Sequence, residues 1–131
     1  MKRFAGVFAA VSLALTGCGG SVCQDTADSY DTLNERAKPC GVAIVNPVTE
    51  AQIKTCEDNI DRCLDSDRKA LEGFNDCVSE LDKCSPGGET TFDAAVDTCG
   101  TYLDRISDTC DDTAFRSAKR TVARYRTRVS R

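Results

Sequence analysis

The chain contains no histidine and no tryptophan, a single methionine, and only five phenylalanines and three tyrosines in 131 residues. Histidine titrates near neutrality and is the commonest metal-binding side chain. Its absence removes the usual general base and the usual zinc donor. No Cys-x2-Cys pair occurs, so the ligand spacing of zinc fingers and the dithiol of thioredoxin-like redox centres are both missing. Gly-x-Ser-x-Gly and glycine-rich phosphate loops are absent too, and Gly87-Gly88 belongs to a helix-stopping turn. The calcium-loop pattern D-x-[DN]-x-[DN]-G does not occur; Asp65-Ser66-Asp67 supplies only two carboxylates. Paired carboxylates can hydrolyse glycosides, but with 21 Asp and Glu in the chain two neighbouring acids are expected by chance. The sequence therefore predicts no enzyme, no cofactor and no metal. Beyond the N-terminal region no stretch is apolar and long enough to span a bilayer.

What the chain does have begins at its N-terminus. Lys2 and Arg3 precede an apolar run from Phe4 to Thr16, too short for a membrane span, in the order of an export signal. Leu15-Thr16-Gly17-Cys18 follows. This segment resembles the lipobox of bacterial prolipoproteins. The resemblance implies cleavage between Gly17 and Cys18, with Cys18 lipidated and left as the mature N-terminus. Gly19 rather than Asp follows, which by the same resemblance implies sorting to the outer membrane. Residues 1–17 are then the signal peptide and 18–22 a short lipidated tether.

Removing Cys18 from the nine cysteines leaves eight: Cys23, Cys40, Cys56, Cys63, Cys77, Cys84, Cys99 and Cys110. An even number in an exported chain predicts disulfides. The mature chain has few large apolar residues, and bridges supplement thin cores of this kind, each by about 2–5 kcal/mol.

Hydrophobic spacing predicts an all-α fold, a small disulfide-stapled bundle of four to five helices in residues 23–112. The first, over 24–38, carries Cys23, Ala27, Tyr30, Leu33 and Ala37 on one stripe and is stopped by Pro39. Cys40 to Pro47 reads as a connector. Thr49 and Gln52 form a capping box for a second helix with Ile53, Cys56, Ile60 and Cys63 inward. Asp65-Ser66-Asp67 reads as a turn, with Ser66 capping a third helix that buries Leu71, Phe74, Cys77, Val78 and Leu81. Ser85-Pro86-Gly87-Gly88 breaks it. A fourth helix, from Thr90 or Thr91, buries Phe92, Val96, Cys99, Leu103 and Ile106; Ser107-Asp108 opens a fifth.

The second and third helices carry two Cys-x6-Cys units, Cys56/Cys63 and Cys77/Cys84, each placing two sulfurs on one helix side. They resemble twin-cysteine helical hairpins, a likeness that implies Cys56–Cys84 and Cys63–Cys77. A turn at Ser66 instead sets Cys56 opposite Cys77, and the short Cα span of a bridge admits only one arrangement. The turn residues favour Cys56–Cys77, with Cys40 reaching Cys84; Cys23, Cys63, Cys99 and Cys110 stay unassigned. In spacing the whole framework is similar to small cysteine-rich lipoproteins of myxobacterial type, a resemblance that implies no activity.

Charge divides the chain. Residues 18–115 hold 8 Lys and Arg against 21 Asp and Glu, a net of −13, whereas residues 116–131 hold seven cations and no acid. As a helix, residues 113–131 would align Phe115, Ala118, Val122, Tyr125 and Val129, flanked by Arg116, Lys119, Arg120, Arg124 and Arg128, with Arg126 and Arg131 completing the set. Such a helix either lies on anionic lipid head groups or docks on its own acidic domain. Nucleic acid is the poorer match for an exported chain.

These readings predict a lipid-anchored protein of the cell envelope, at the outer membrane, with a non-catalytic binding or structural role. Its partners would be the membrane through the anchor and either anionic lipid or an envelope protein. A secreted inhibitor or toxin-like module, presenting residues 41–48 or 85–89, and a thiol-redox protein with a free cysteine are the alternatives.

Overall fold

The computed structural model describes residues 21–42 and 47–110 and is all-α. Four main helices follow one another: α1 (Val22–Ala37), α2 (Glu50–Asn59), α3 (Asp65–Glu80) and α4 (Glu89–Leu103). Short 3-10 turns extend α1 (Lys38–Cys40) and α2 (Ile60–Arg62), and one turn, α5 (Asp108–Cys110), ends the described chain.

Local chemistry sets most of the helix ends. Ser21 caps α1 by accepting from the Gln24 N–H at 3.2 Å. Pro39 lacks an N–H and cannot continue the helix; Gly41, at φ 70°, then takes the left-handed conformation in which L side chains are strained. The expected capping box at α2 is present. The Gln52 N–H donates to Thr49 Oγ1 at 3.3 Å, and the Thr49 N–H donates to Gln52 Oε1 at 2.8 Å.

Helix α3 is central, with α1 packed on one side and α4 on the other. Its Leu71, Phe74 and Val78 meet Tyr30, Leu33 and Ala37 of α1 and Phe92, Val96 and Leu103 of α4 in one core cluster. The Tyr30 and Phe74 rings stand 5.7 Å apart in a tilted arrangement. Every residue of the stripes expected on the first and fourth helices is buried, Ile106 included, just beyond the end of α4. Cys77 of the third-helix set is only half-buried.

α3 stops earlier than its sequence breaker. Leu81 is extended (φ −60°, ψ 132°), five residues before Pro86. Extension sends the Leu81 side chain into the core and brings Cys84 beneath the end of α1. There its N–H donates to the Arg36 carbonyl at 2.8 Å. The Arg36 Nη2 in turn donates to the Ser79 carbonyl at 3.4 Å. Tertiary bonds thus replace the last helical turn.

α2 differs most from expectation. It lies along α1 and does not form a hairpin along α3. Cys63 (ψ 140°) and Leu64 (ψ 159°) are both extended, so the chain steps away from α2 before α3 starts at Asp65. Ser66 is therefore inside the third helix, not its cap. Without the hairpin, Cys56 never stands opposite Cys77.

The bridges are Cys23–Cys56, Cys40–Cys84, Cys63–Cys110 and Cys77–Cys99. Cys40–Cys84 agrees with the sequence reading. Cys56–Cys77 is corrected: Cys56 joins α1 and Cys77 joins α4. The hairpin pairs Cys56–Cys84 and Cys63–Cys77 are absent as well. Disulfides matter most to α2. Of its own residues only Cys56 is fully buried, so a bridge at Cys56 and another just past its end, at Cys63, substitute for apolar area.

Candidate functional site

The eight domain cysteines come together as four pairs and leave no thiol among themselves. Cys18 and the cations Arg116, Lys119, Arg120, Arg124, Arg126, Arg128 and Arg131 lie outside the described residues, as does the helix expected over 113–131. The connector expected at 40–47 is described only at its two ends, where Val42 packs against the core.

Sequence reasoning missed the most constrained polar group. Asp67 is a buried acid, 1% exposed. Its Oδ2 accepts from the Leu64 N–H at 2.9 Å and from Ser107 Oγ at 2.8 Å, and its Oδ1 accepts from the Ser107 N–H at 2.9 Å. Burial alone would push its pKa up; the bonds from Ser107 and Leu64 outweigh that and hold it below the ordinary value of 3.8. Spacing offered one signal, since an acid three residues after a helix N-cap is the returning half of a capping box. With both oxygens occupied, Asp67 is a structural pin and not a free base.

The surface of the described residues includes a pair of shallow grooves. One, of about 270 Å³, runs between α1 and α3 with Asp25, Asp28, Glu72 and Asp76 around Ser29 and Asn75. Its floor is hydrogen-bonded. Ser29 Oγ stands 2.9 Å from both the Asp25 carbonyl and Asn75 Oδ1, so its single proton serves two acceptors, while Asn75 Nδ2 donates to Thr26 Oγ1 at 3.3 Å. The other groove, of about 440 Å³, lies beside the start of α4 among Leu81, Lys83, Cys84, Thr91 and Phe92. Neither brings a nucleophile to a base. Among the described residues no group of three or more Cys, Asp or Glu side chains is arranged to hold a metal ion.

The Tyr30 hydroxyl is buried and meets no hydrogen-bond partner among the described residues. Burial raises its pKa far above the usual phenol range, so it stays neutral and serves as a packing ring. No described helix is long and apolar enough to cross a membrane.

Compared with known proteins, the chain matches no family model, no curated protein and no solved structure.

Proposed function

We propose that this chain is a lipid-anchored protein of the cell envelope, held at the outer membrane, whose helical domain acts by binding or as a structural component and performs no catalysis. One observation carries the proposal. The other eight cysteines pair with one another, and the ninth is Cys18, the residue that the lipobox resemblance assigns to the lipid. Persistent disulfides of this density suit an exported compartment. The acidic body, at −13 over residues 18–115, disfavours nucleic acid as a partner.

Full pairing also weighs against a thiol-redox role, which needs an accessible, poised cysteine. An inhibitor would expose an ordered reactive loop. Residues 85–89 form a tight turn, closed by the Gly88 N–H on the Ser85 carbonyl at 2.8 Å and by the Gly87 N–H on Glu89 Oε1 at 3.1 Å, but neither they nor residues 41–48 carry a distinctive motif.

The test is Cys18→Ser in the native secretion host. The expected outcome is an unprocessed precursor with no acylated mature form. Trimming after Gly17 together with continued membrane flotation would overturn the anchor.

A further inference from the structure

Helix α4 has sides of different chemistry. Phe92, Val96, Cys99 and Leu103 are buried in the core, and the Tyr102 ring lies against Gly73 of α3. At about 100° per residue, Asp93, Asp97 and Asp104 fall within about 40° of one another, on the flank roughly opposite Tyr102. Gly100 sits between that flank and the core stripe and is buried. Having no side chain, it allows a neighbouring helix to approach the α4 backbone closely. The acidic flank is thus turned away from α3 and bordered by an edge where a helix can pack.

Each of the three acids is engaged. The ion pairs among the described residues are Lys54–Asp58 and Arg68–Asp61, and neither includes one of them. The cations described so far are therefore not what meets this flank.

Chain continuity brings a cationic segment to it. Cys110, the last described residue, lies six positions past Asp104 and is tied to Cys63, while Ser107 is tied to Asp67. Residues 111–131 depart from this fixed corner, and consecutive elements usually pack side by side. As a helix, residues 113–131 would be about 28 Å long, against about 22 Å for the 15 residues of α4, enough for one pass back along it. From Arg116 to Arg128 the cations recur mostly every three or four residues, and Asp93 and Asp97 are four apart. Charge favours the contact, with seven cations and no acid in residues 116–131 against −13 over residues 18–115. The acidic groove between α1 and α3 fits less well, because polar side chains alone line it and the apolar stripe from Phe115 to Val129 would have nothing to bury against.

We infer that residues 113–131 pack along the Asp93–Asp97–Asp104 flank of α4, antiparallel to it, as the last helix of the bundle. The apolar stripe lies over Gly100 and the edge of the core, and the cations beside it meet the three carboxylates. The tail is then part of the domain, and its cations are neutralised there and not offered to lipid. This holds whether or not Cys18 carries a lipid.

The experiment uses the full lipidated protein in neutral detergent micelles at low concentration. Lys119 is the one lysine of residues 116–131, so zero-length carbodiimide coupling of its amine, mapped by mass spectrometry, identifies the carboxylate beside it. Coupling to Asp93, Asp97 or Asp104 is expected. Coupling only to other carboxylates, coupling between two copies, or no coupling overturns the inference. Trypsin supplies a second measure. Asp93→Asn with Asp97→Asn should speed cleavage after Arg120 and Arg124 by at least about fivefold, because cleavage follows the undocked population. Asp28→Asn with Asp76→Asn, in the groove between α1 and α3, should leave that rate unchanged. No acceleration in the first variant, or equal acceleration in both, overturns the inference. Loss of the Lys119 coupling on phosphatidylglycerol vesicles does so too, since it would place the tail on lipid.

Discussion

Ser107 and Asp67 are forty residues apart in the chain and joined twice, by the Ser107 N–H to Oδ1 at 2.9 Å and by Ser107 Oγ to Oδ2 at 2.8 Å. The same carboxylate accepts from the Leu64 N–H. One side chain therefore starts α3 and fixes the corner that follows α4.

Replacing Asp67 should cost far more than replacing any exposed acid. Asp67→Ala leaves buried donors without an acceptor, for a loss of about 2–4 kcal/mol in urea unfolding at neutral pH. The pH dependence has a definite sign. Asp67 titrates lower in the folded chain than its ordinary 3.8, so its contribution is complete above that value and is lost as pH falls through the folded pKa. Wild type should therefore lose more stability than Asp67→Asn on acidification below pH 4, measured as the difference in unfolding midpoint. Parallel acid losses in the two proteins would remove Asp67 from the role of pin.

Non-reduced peptide mapping should recover Cys23–Cys56, Cys40–Cys84, Cys63–Cys110 and Cys77–Cys99, with no free thiol in the domain. Loop entropy ranks two of them. Cys77–Cys99 closes 22 residues and Cys63–Cys110 closes 47, so the paired Ala replacements should cost about 3 and about 4 kcal/mol respectively. Recovery of Cys56 joined to Cys77 would restore the hairpin and contradict the packing of α2 on α1.

Gly73 sets the approach of α3 to α4. A Cβ there would lie 2.6 Å from Cδ1 and Cε1 of Tyr102. That ring is also held by the Arg105 guanidinium, 5.2 Å from its centroid. Alanine is the better helix former by about 1 kcal/mol, yet overpacking of this kind typically costs about 1–3 kcal/mol. Gly73→Ala should therefore lower the melting temperature, and Tyr102→Ala should remove most of that penalty in the double variant. Additive losses would show that the ring does not limit the approach.

Much of the helical content is legible in the sequence because it is local. The capping box at Thr49 and Gln52, the stop at Pro39 and the stripe from Phe92 to Leu103 each depend on residues within a turn or two. Cys40–Cys84 was expected from a hairpin turned at Ser66; the pair forms, but between the end of α1 and the extended segment that follows α3. The end of α3 was not legible. Its breaker at Pro86 is real, but Arg36 and Cys84 draw the chain out of the helix five residues sooner.

The sequence by itself determined the helical class, the even cysteine set apart from Cys18, and the separation of an acidic body from a basic tail. These follow from composition and short-range periodicity. Only the tertiary structure decided which sulfurs meet. Two extended residues, Cys63 and Leu64, with a carboxylate that accepts from a serine forty positions away, rotate α3 away from α2 and onto α1 and α4. Bridging requires Cα atoms within several ångströms, and that proximity belongs to helices distant in sequence, which no spacing rule along the chain encodes.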